Sequence, residues 1–334
     1  MAIVKKIATL TYWQLLLSAI VFGIIWFLPE ITGYKNLSGS CTVSLFHLIP
    51  LFTVSTVVAR ILQFVAVGIM LYVLVHIAGK RNFLPIHPTL LFFIGGAVLA
   101  SVPQLHCFSS ATVSILLFVL SLPYFIQIGE EHNVPDAVFK IISLNLLGAC
   151  FAPFLFLMCL TVLLVMVFYN MISLKSAIAG LFAVVLSAFV IFSLFYLTDS
   201  LPLLEKIWNY YCSYEIQWER FVASFEWSFS TILFFAGFVL MLIVMALYNF
   251  IYIQTAKALM RFYFFLVSLL LIVSVAICFF FFDNFLDFLP IPVLLAILQI
   301  SLFFSHQQKR FGDIVFVCLM ICCLAYRVLL LIGF

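Results

Sequence analysis

The chain has 334 residues, of which 67% are hydrophobic and 8% charged, and its formal net charge is +3. A soluble domain carries about 25% charged residues to coat its surface, so this composition excludes a soluble enzyme and gives no basic patch for nucleic acid. The 41 Phe residues suit a chain surrounded by lipid. No stretch is polar enough to form a separate soluble unit, so residues 1–334 read as one transmembrane domain.

A hydrocarbon core of ~30 Å needs roughly 20 apolar residues per helix, and backbone in lipid must pair with itself. The fold class expected is therefore all-α, a polytopic transmembrane helical bundle. Spans are expected near 10–28, 61–79, 88–103, 110–128, 137–150, 153–171, 176–197, 227–253, 262–282, 288–305 and 313–332, eleven in all. The first follows Lys5 and Lys6 but is longer than a signal-peptide core, and Pro29-Glu30 replaces a small-residue cleavage site. It is expected to be a retained signal-anchor.

Between the first two spans, 29–60 begins as the polar, Gly-rich PEITGYKNLSGS and ends as the apolar FHLIPLFTVSTVVAR. It reads as an outer loop leading into a re-entrant or interfacial segment. Arg60 at its end is either a snorkelling anchor or a fork of donors for phosphate, because a charge at membrane depth marks a functional candidate. Gly95-Gly96 in the third span should let another helix approach closely. Pro88, Pro103, Pro153, Pro290 and Pro292 punctuate the spans, since Pro cannot continue a preceding helical turn. Residues 137–171 are expected as two spans rather than one bent helix.

After the seventh span, 199–226 alternates at helical period. Trp208, Tyr211, Tyr214, Trp218, Val222 and Phe225 share one side; Lys206, Asn209, Ser213, Gln217 and Arg220 share the other. That is the pattern of an amphipathic helix lying in the membrane interface. Glu215 and Glu219 sit one turn apart at its edge, as solvated carboxylates or as a metal or acid/base pair.

Basic residues orient the layout. With a cytoplasmic N-terminus, Lys5, Lys6, Lys80, Arg81, Lys140, Lys175, Lys257, Arg261, Lys309 and Arg310 fall inside, against Lys35, Arg60, Lys206, Arg220 and Arg327 outside. The C-terminus is then on the periplasmic side of a bacterial inner membrane.

Chemical motifs are absent. There is no P-loop, GxGxxG, GxSxG or HExxH, the six His are scattered, and the nine Cys form no framework. Cys41, Cys107 and Cys212 fall on the outer side; the others fall within spans as small apolar residues. No metal or cofactor is expected. The twelve acids map to ends or loops, which disfavours proton-coupled transport. Asn145, Asn249 and Gln299 are expected to hydrogen-bond between helices.

The stretches RNFLPIHPTLLFFIGGAVLASVPQ, LPYFIQIGEEHNVPDAVFKIISLNLLGACFAPFLFLMCLTVLLVMVFYNMISLKS and the tail from MRFYFFLVSLLLIV through LPIPVLLAILQISLFFSHQQKRFGD resemble an uncharacterised family of polytopic inner-membrane proteins of Bacteroidota. The resemblance covers the chain from about Arg81 onward and implies no activity. The same cadence is similar to the membrane half of GT-C glycosyltransferases, which act on lipid-linked sugars. That pattern calls for an acidic residue in the first outer loop, often paired, and this sequence has the lone Glu30. The GT-C resemblance implies Glu30 as the base, with Arg60 and Arg220 on the phosphates of a polyprenyl-phosphate substrate. Against it stands the reading favoured by the missing catalytic groups: a non-enzymatic subunit of a membrane complex, serving assembly, scaffolding or export. Its partners would be membrane lipids and other membrane or periplasmic subunits. A transporter ranks third.

Overall fold

A computed structural model describes residues 3–8, 12–31, 40–45, 49–80, 87–102, 106, 108–129, 133–197, 199, 201–202, 205–206, 209, 229–254, 258–280, 289–306 and 310–332. In chain order the elements are α1 (Ile3–Ala8), α2 (Tyr12–Ile31), β1 (Ser40–Leu45), β2 (Ile49–Ser55), α3 (Thr56–Lys80), α4 (Pro88–Ser101), α5 (Ser110–Gly129), α6 (Val134–Ala149), a 3-10 turn (Pro153–Leu157), α7 (Met158–Phe168), α8 (Leu174–Leu197), α9 (Phe229–Ile253), α10 (Ala258–Phe280), α11 (Pro290–His306) and α12 (Arg310–Ile332).

Each expected span falls on a helix. By length and composition, six helical stretches among the described residues can cross a membrane: Thr56–Gly79, Ser110–Gly129, Leu174–Leu197, Ile232–Ile253, Met260–Cys278 and Arg310–Leu329. Trp13–Phe27, Pro88–Ser101, Leu155–Phe168 and Pro290–His306 are apolar but shorter. Two of the short ones lie in the middle. α4 packs against α1, α2, α3, α11 and α12, and α11 against α4, α9 and α10. In α11 every residue from Val293 to Ser305 is buried. At about 1.5 Å per residue, the 14 residues of α4 and the 17 of α11 fall short of a full hydrocarbon core. Helices covered by protein need not match its thickness.

The outer helices invert this pattern. Along α8, Leu174, Leu181, Phe189 and Leu197 are 66–79% exposed, and α9 exposes Leu233, Leu240, Leu247 and Ile251. Contiguous apolar surface of this extent is unstable in water and needs no cover in lipid. The fold is that of a membrane protein with a packed interior and an apolar rim.

The segment 29–60 departs from the expected loop and re-entrant stretch. α2 runs to Ile31 and α3 starts at Thr56. Between them β1 and β2 pair antiparallel, with Val43 opposite Phe52 and Ser44 opposite Pro50. The strands SCTVSL and IPLFTVS are rich in β-branched and aromatic residues, which favour a pleated ribbon. The register shifts between Val43 and Ser44, leaving Leu51 as the extra residue of a bulge. Pro50 sits beside it, where a missing backbone donor is tolerated. The hairpin packs against α3 and α5 and is the only strand pair among the described residues.

Residues 137–171 form two helices. α6 stops at Ala149, Pro153 opens the 3-10 turn, and α7 returns along α6. α7 ends on Asn170 at φ 52°. Met171 N–H donates to Met166 O (2.9 Å) and Asn170 N–H to Val167 O (3.2 Å); this pair of bonds satisfies the helix's last carbonyls. Ser173 and Ser176 then cap α8 reciprocally: each backbone N–H donates to the other's Oγ, at 3.0 and 3.1 Å.

Long-range hydrogen bonds sort the helix termini into two ends. At one, Val4 N–H donates to Asp313 Oδ1 (2.9 Å), Thr89 Oγ1 to Ala8 O (3.0 Å) and His87 N–H to Ser305 Oγ (3.1 Å). This end holds α1, the starts of α4 and α12, and the finish of α11. The other end holds the finish of α2 and α12 and the starts of α3 and α5.

Candidate functional site

The second end gathers the buried charged side chains. β2 finishes at Ser55 and α3 begins at once, so Arg60 falls in its second turn. Arg60 and Gln63 lie three apart on one helix face and are both buried, whereas Val57, Val58 and Ile61 face outward. Arg60 is 5% exposed, so its side chain is enclosed by protein. On α12, Cys323, Tyr326 and Arg327 turn inward while Leu324 and Val328 are exposed.

Between these helices the chain leaves α4 at Ser101 and brings His106 inward, 3% exposed. The imidazole lies flat against Trp26 of α2, ring centroids 3.7 Å apart at 22°. Its Nε2 is 3.2 Å from the Leu99 carbonyl. A carbonyl only accepts, so Nε2 carries the proton of the neutral ring. Burial lowers the His106 pKa to about 3, and the Arg327 and Arg60 charges push it the same way, against the Leu99 carbonyl, which raises it. The ring is neutral at physiological pH, and it lies within electrostatic reach of both guanidiniums.

Other groups complete the cluster. Arg327 Nη2 donates to Ile25 O (3.2 Å), and Thr112 Oγ1 donates to Gln63 Oε1 (2.7 Å), joining α5 to α3. Both arginines hold partners within the protein. Trp26 Nε1 is buried and makes no hydrogen bond, a costly state for a donor. Ser109 N–H donates to Thr112 Oγ1 (3.2 Å) at the start of α5. The starts of α3 and α5 both lie at this end, and helix N-termini carry partial positive charge. The whole arrangement favours an anion.

Of the residues singled out from sequence, the structure brings only Arg60 into this cluster with its side chain in view. Glu30 lies on α2, one turn beyond Trp26, and its side chain is outside the described set. Arg220, Glu215, Glu219 and most of the expected interfacial helix lie outside the described residues. So do Cys107 and Cys212, while Cys41 falls in β1. Among the described residues no three His, Cys, Asp or Glu side chains group as metal ligands.

Sequence reasoning missed Trp26, Gln63, His106 and Thr112 as members of a site, and placed Arg327 only as an outer charge. One signal was present: Arg327 stands in the apolar run CLAYRVLLLI, where an ionisable residue is itself a flag. The middle of the bundle contrasts with this end. There Asn249 Nδ2 donates to Gln299 O (3.0 Å), Gln299 Nε2 to Ser268 Oγ (2.9 Å) and Asn145 Nδ2 to Ser121 Oγ (3.4 Å). These are the interhelical amide bonds expected from sequence.

No protein-family model, curated protein or solved structure matches this chain.

Proposed function

We propose that this chain is a multi-pass inner-membrane protein that binds an anionic lipid at the outer end of its bundle, without catalysing a reaction on it. The observation that supports this reading is the burial of Arg60 and Arg327 within electrostatic reach of the Trp26–His106 stack, with Arg327 bonded to the Ile25 carbonyl beside it. Buried charge is expensive in a membrane protein and is retained where it serves a ligand or a partner. Neutral amides in the middle of the bundle give a transported ion little to hold. The basic residues orient the bundle with its N-terminus in the cytoplasm, eleven crossings and a periplasmic C-terminus, so the cluster faces the periplasm. Native mass spectrometry of the detergent-purified protein tests the reading. Retained anionic lipid is expected; a chain that keeps only zwitterionic lipid, or none, sinks it.

Two finer readings rest on separate observations. In the GT-C-like reading Glu30, four residues after Trp26 on α2, serves as the base; Glu30→Gln abolishing sugar transfer from a polyprenyl-phosphate donor would establish that activity. The exposed apolar face of α8, which packs mainly on α6, also suits a partner's transmembrane helix. In that case the chain is a complex subunit, serving assembly or export, and co-purifies with a defined membrane assembly at fixed stoichiometry.

A further inference from the structure

Which head group the site takes can be argued from its donors, given the lipid-binding reading above. Arg327 on α12 is buried and bonds the Ile25 carbonyl, next in sequence to the Trp26 that His106 stacks on, and Arg60 on α3 is buried within electrostatic reach of the same imidazole. A guanidinium presents five N–H donors in a rigid fork, so each can keep its partners in the protein and still offer donors to a ligand. Trp26 Nε1 adds a buried donor without an acceptor, on the ring that His106 covers. A carboxylate head presents two oxygens on one edge and so satisfies fewer donors drawn from α2, α3 and α12. A phosphate ester presents several acceptor oxygens around a tetrahedron, and Arg forks match that geometry.

The surroundings distinguish a lipid from a free ion. Beside Arg60, Val57 and Ile61 are exposed on α3; beside Arg327, Leu324 and Val328 are exposed on α12. Each arginine is thus buried on a helix whose adjacent positions present apolar side chains outward. Acyl chains can lie on that face while the head group stays among the donors, shielded from water, where charge-assisted hydrogen bonds are strongest.

We propose that the Trp26–Arg60–His106–Arg327 cluster binds the phosphate of a phospholipid head group, with the lipid tail lying along the exposed flank of α3 or α12.

The experiment uses the full chain in detergent, with Trp13, Trp208, Trp218 and Trp227 replaced by Phe so that emission reports Trp26. Phosphatidic acid, phosphatidylglycerol, oleate and inorganic phosphate are titrated separately, with melting temperature followed in parallel. The two phospholipids are expected to shift Trp26 emission and raise the melting temperature; oleate and inorganic phosphate are expected to do neither at equal concentration. Arg60→Gln and Arg327→Gln are each expected to weaken the phospholipid response at least about tenfold. Arg60→Lys and Arg327→Lys keep the charge and guard against misfolding; each should melt near the parent and bind at intermediate strength. Oleate acting as strongly as phosphatidic acid overturns the phosphate assignment, and a full response to inorganic phosphate overturns the lipid. Binding unchanged in the Gln variants overturns the site. Native mass spectrometry separates the two levels: anionic lipid retained in the wild type and in both Gln variants leaves lipid binding standing elsewhere on the chain, whereas none retained in the wild type removes both.

Discussion

His106 has the most sharply defined chemistry of any described side chain. Its pKa in the fold, about 3, lies below the ordinary 6.5, so the folded protein resists a proton that the unfolded chain accepts. The contribution to stability is therefore complete above pH ~6.5 and is lost as pH falls from there toward ~3, at up to about 1.4 kcal/mol per unit. Melting curves across that window should show an acid-sensitive component that His106→Asn removes, leaving other carboxylate-driven changes in place. If the two proteins lose stability in parallel, the burial of a neutral imidazole against Trp26 is wrong. Thr112→Val tests the bond to Gln63 from the other side of the cluster. It deletes a buried hydrogen bond and is expected to cost about 1 kcal/mol, read as a lowered denaturation midpoint. Arg60 could be flagged from sequence as a charge at the mouth of a span. Trp26 and His106 could not, because nothing in their local sequence says that two rings 80 positions apart lie face to face.

At the scale of elements, the glycines separate close packing from open surface. A Cβ on Gly96 would run into the Phe22 ring, and one on Gly129 into the Phe262 ring, whereas Gly68 and Gly237 have nothing within 4 Å. Gly96→Ala and Gly129→Ala are expected to destabilise by about 1–3 kcal/mol through overpacking. Gly68→Ala and Gly237→Ala should be neutral, or stabilising by up to about 1 kcal/mol through helix propensity. Thermal melts of the four variants check the contrast, and equal effects would mean that α2 and α4 do not meet at Gly96. The close approach at Gly95-Gly96 was readable from sequence, because small residues are what such contacts require; that Phe22 and Leu71 are the partners was not. The hairpin was missed for a physical reason. FHLIPLFTVSTVVAR is apolar enough to be read as membrane-seeking, but its strand β2 finds a partner in β1, outside that stretch, and the pair lies against α3 and α5.

The whole molecule divides by burial rather than by hydropathy. α8 and α11 have comparable apolar sequences, yet one is largely exposed and the other is enclosed. A charge on the rim should therefore be poorly tolerated: Leu181→Arg, on the exposed face of α8, is expected to cost about 2.5–3.5 kcal/mol at mid-membrane, measured as reduced insertion. Labelling single cysteines introduced at Lys35 and at Lys80 from each side of intact membrane vesicles checks the orientation, with Lys35 expected periplasmic and Lys80 cytoplasmic. The sequence by itself determined the membrane class, the positions of the helices, the punctuation at Pro88, Pro153 and Pro290, and the amide bonds between helices. Each of these follows from local composition and period, which act over one or two turns. Only the tertiary structure decided which helices are central, that a β-hairpin stands between α2 and α3, and that His106 stacks on Trp26 while Arg327 bonds the neighbouring Ile25 carbonyl. Those outcomes depend on packing between segments as much as 300 residues apart, as in the bond from Arg327 to Ile25 O, and no local pattern encodes them.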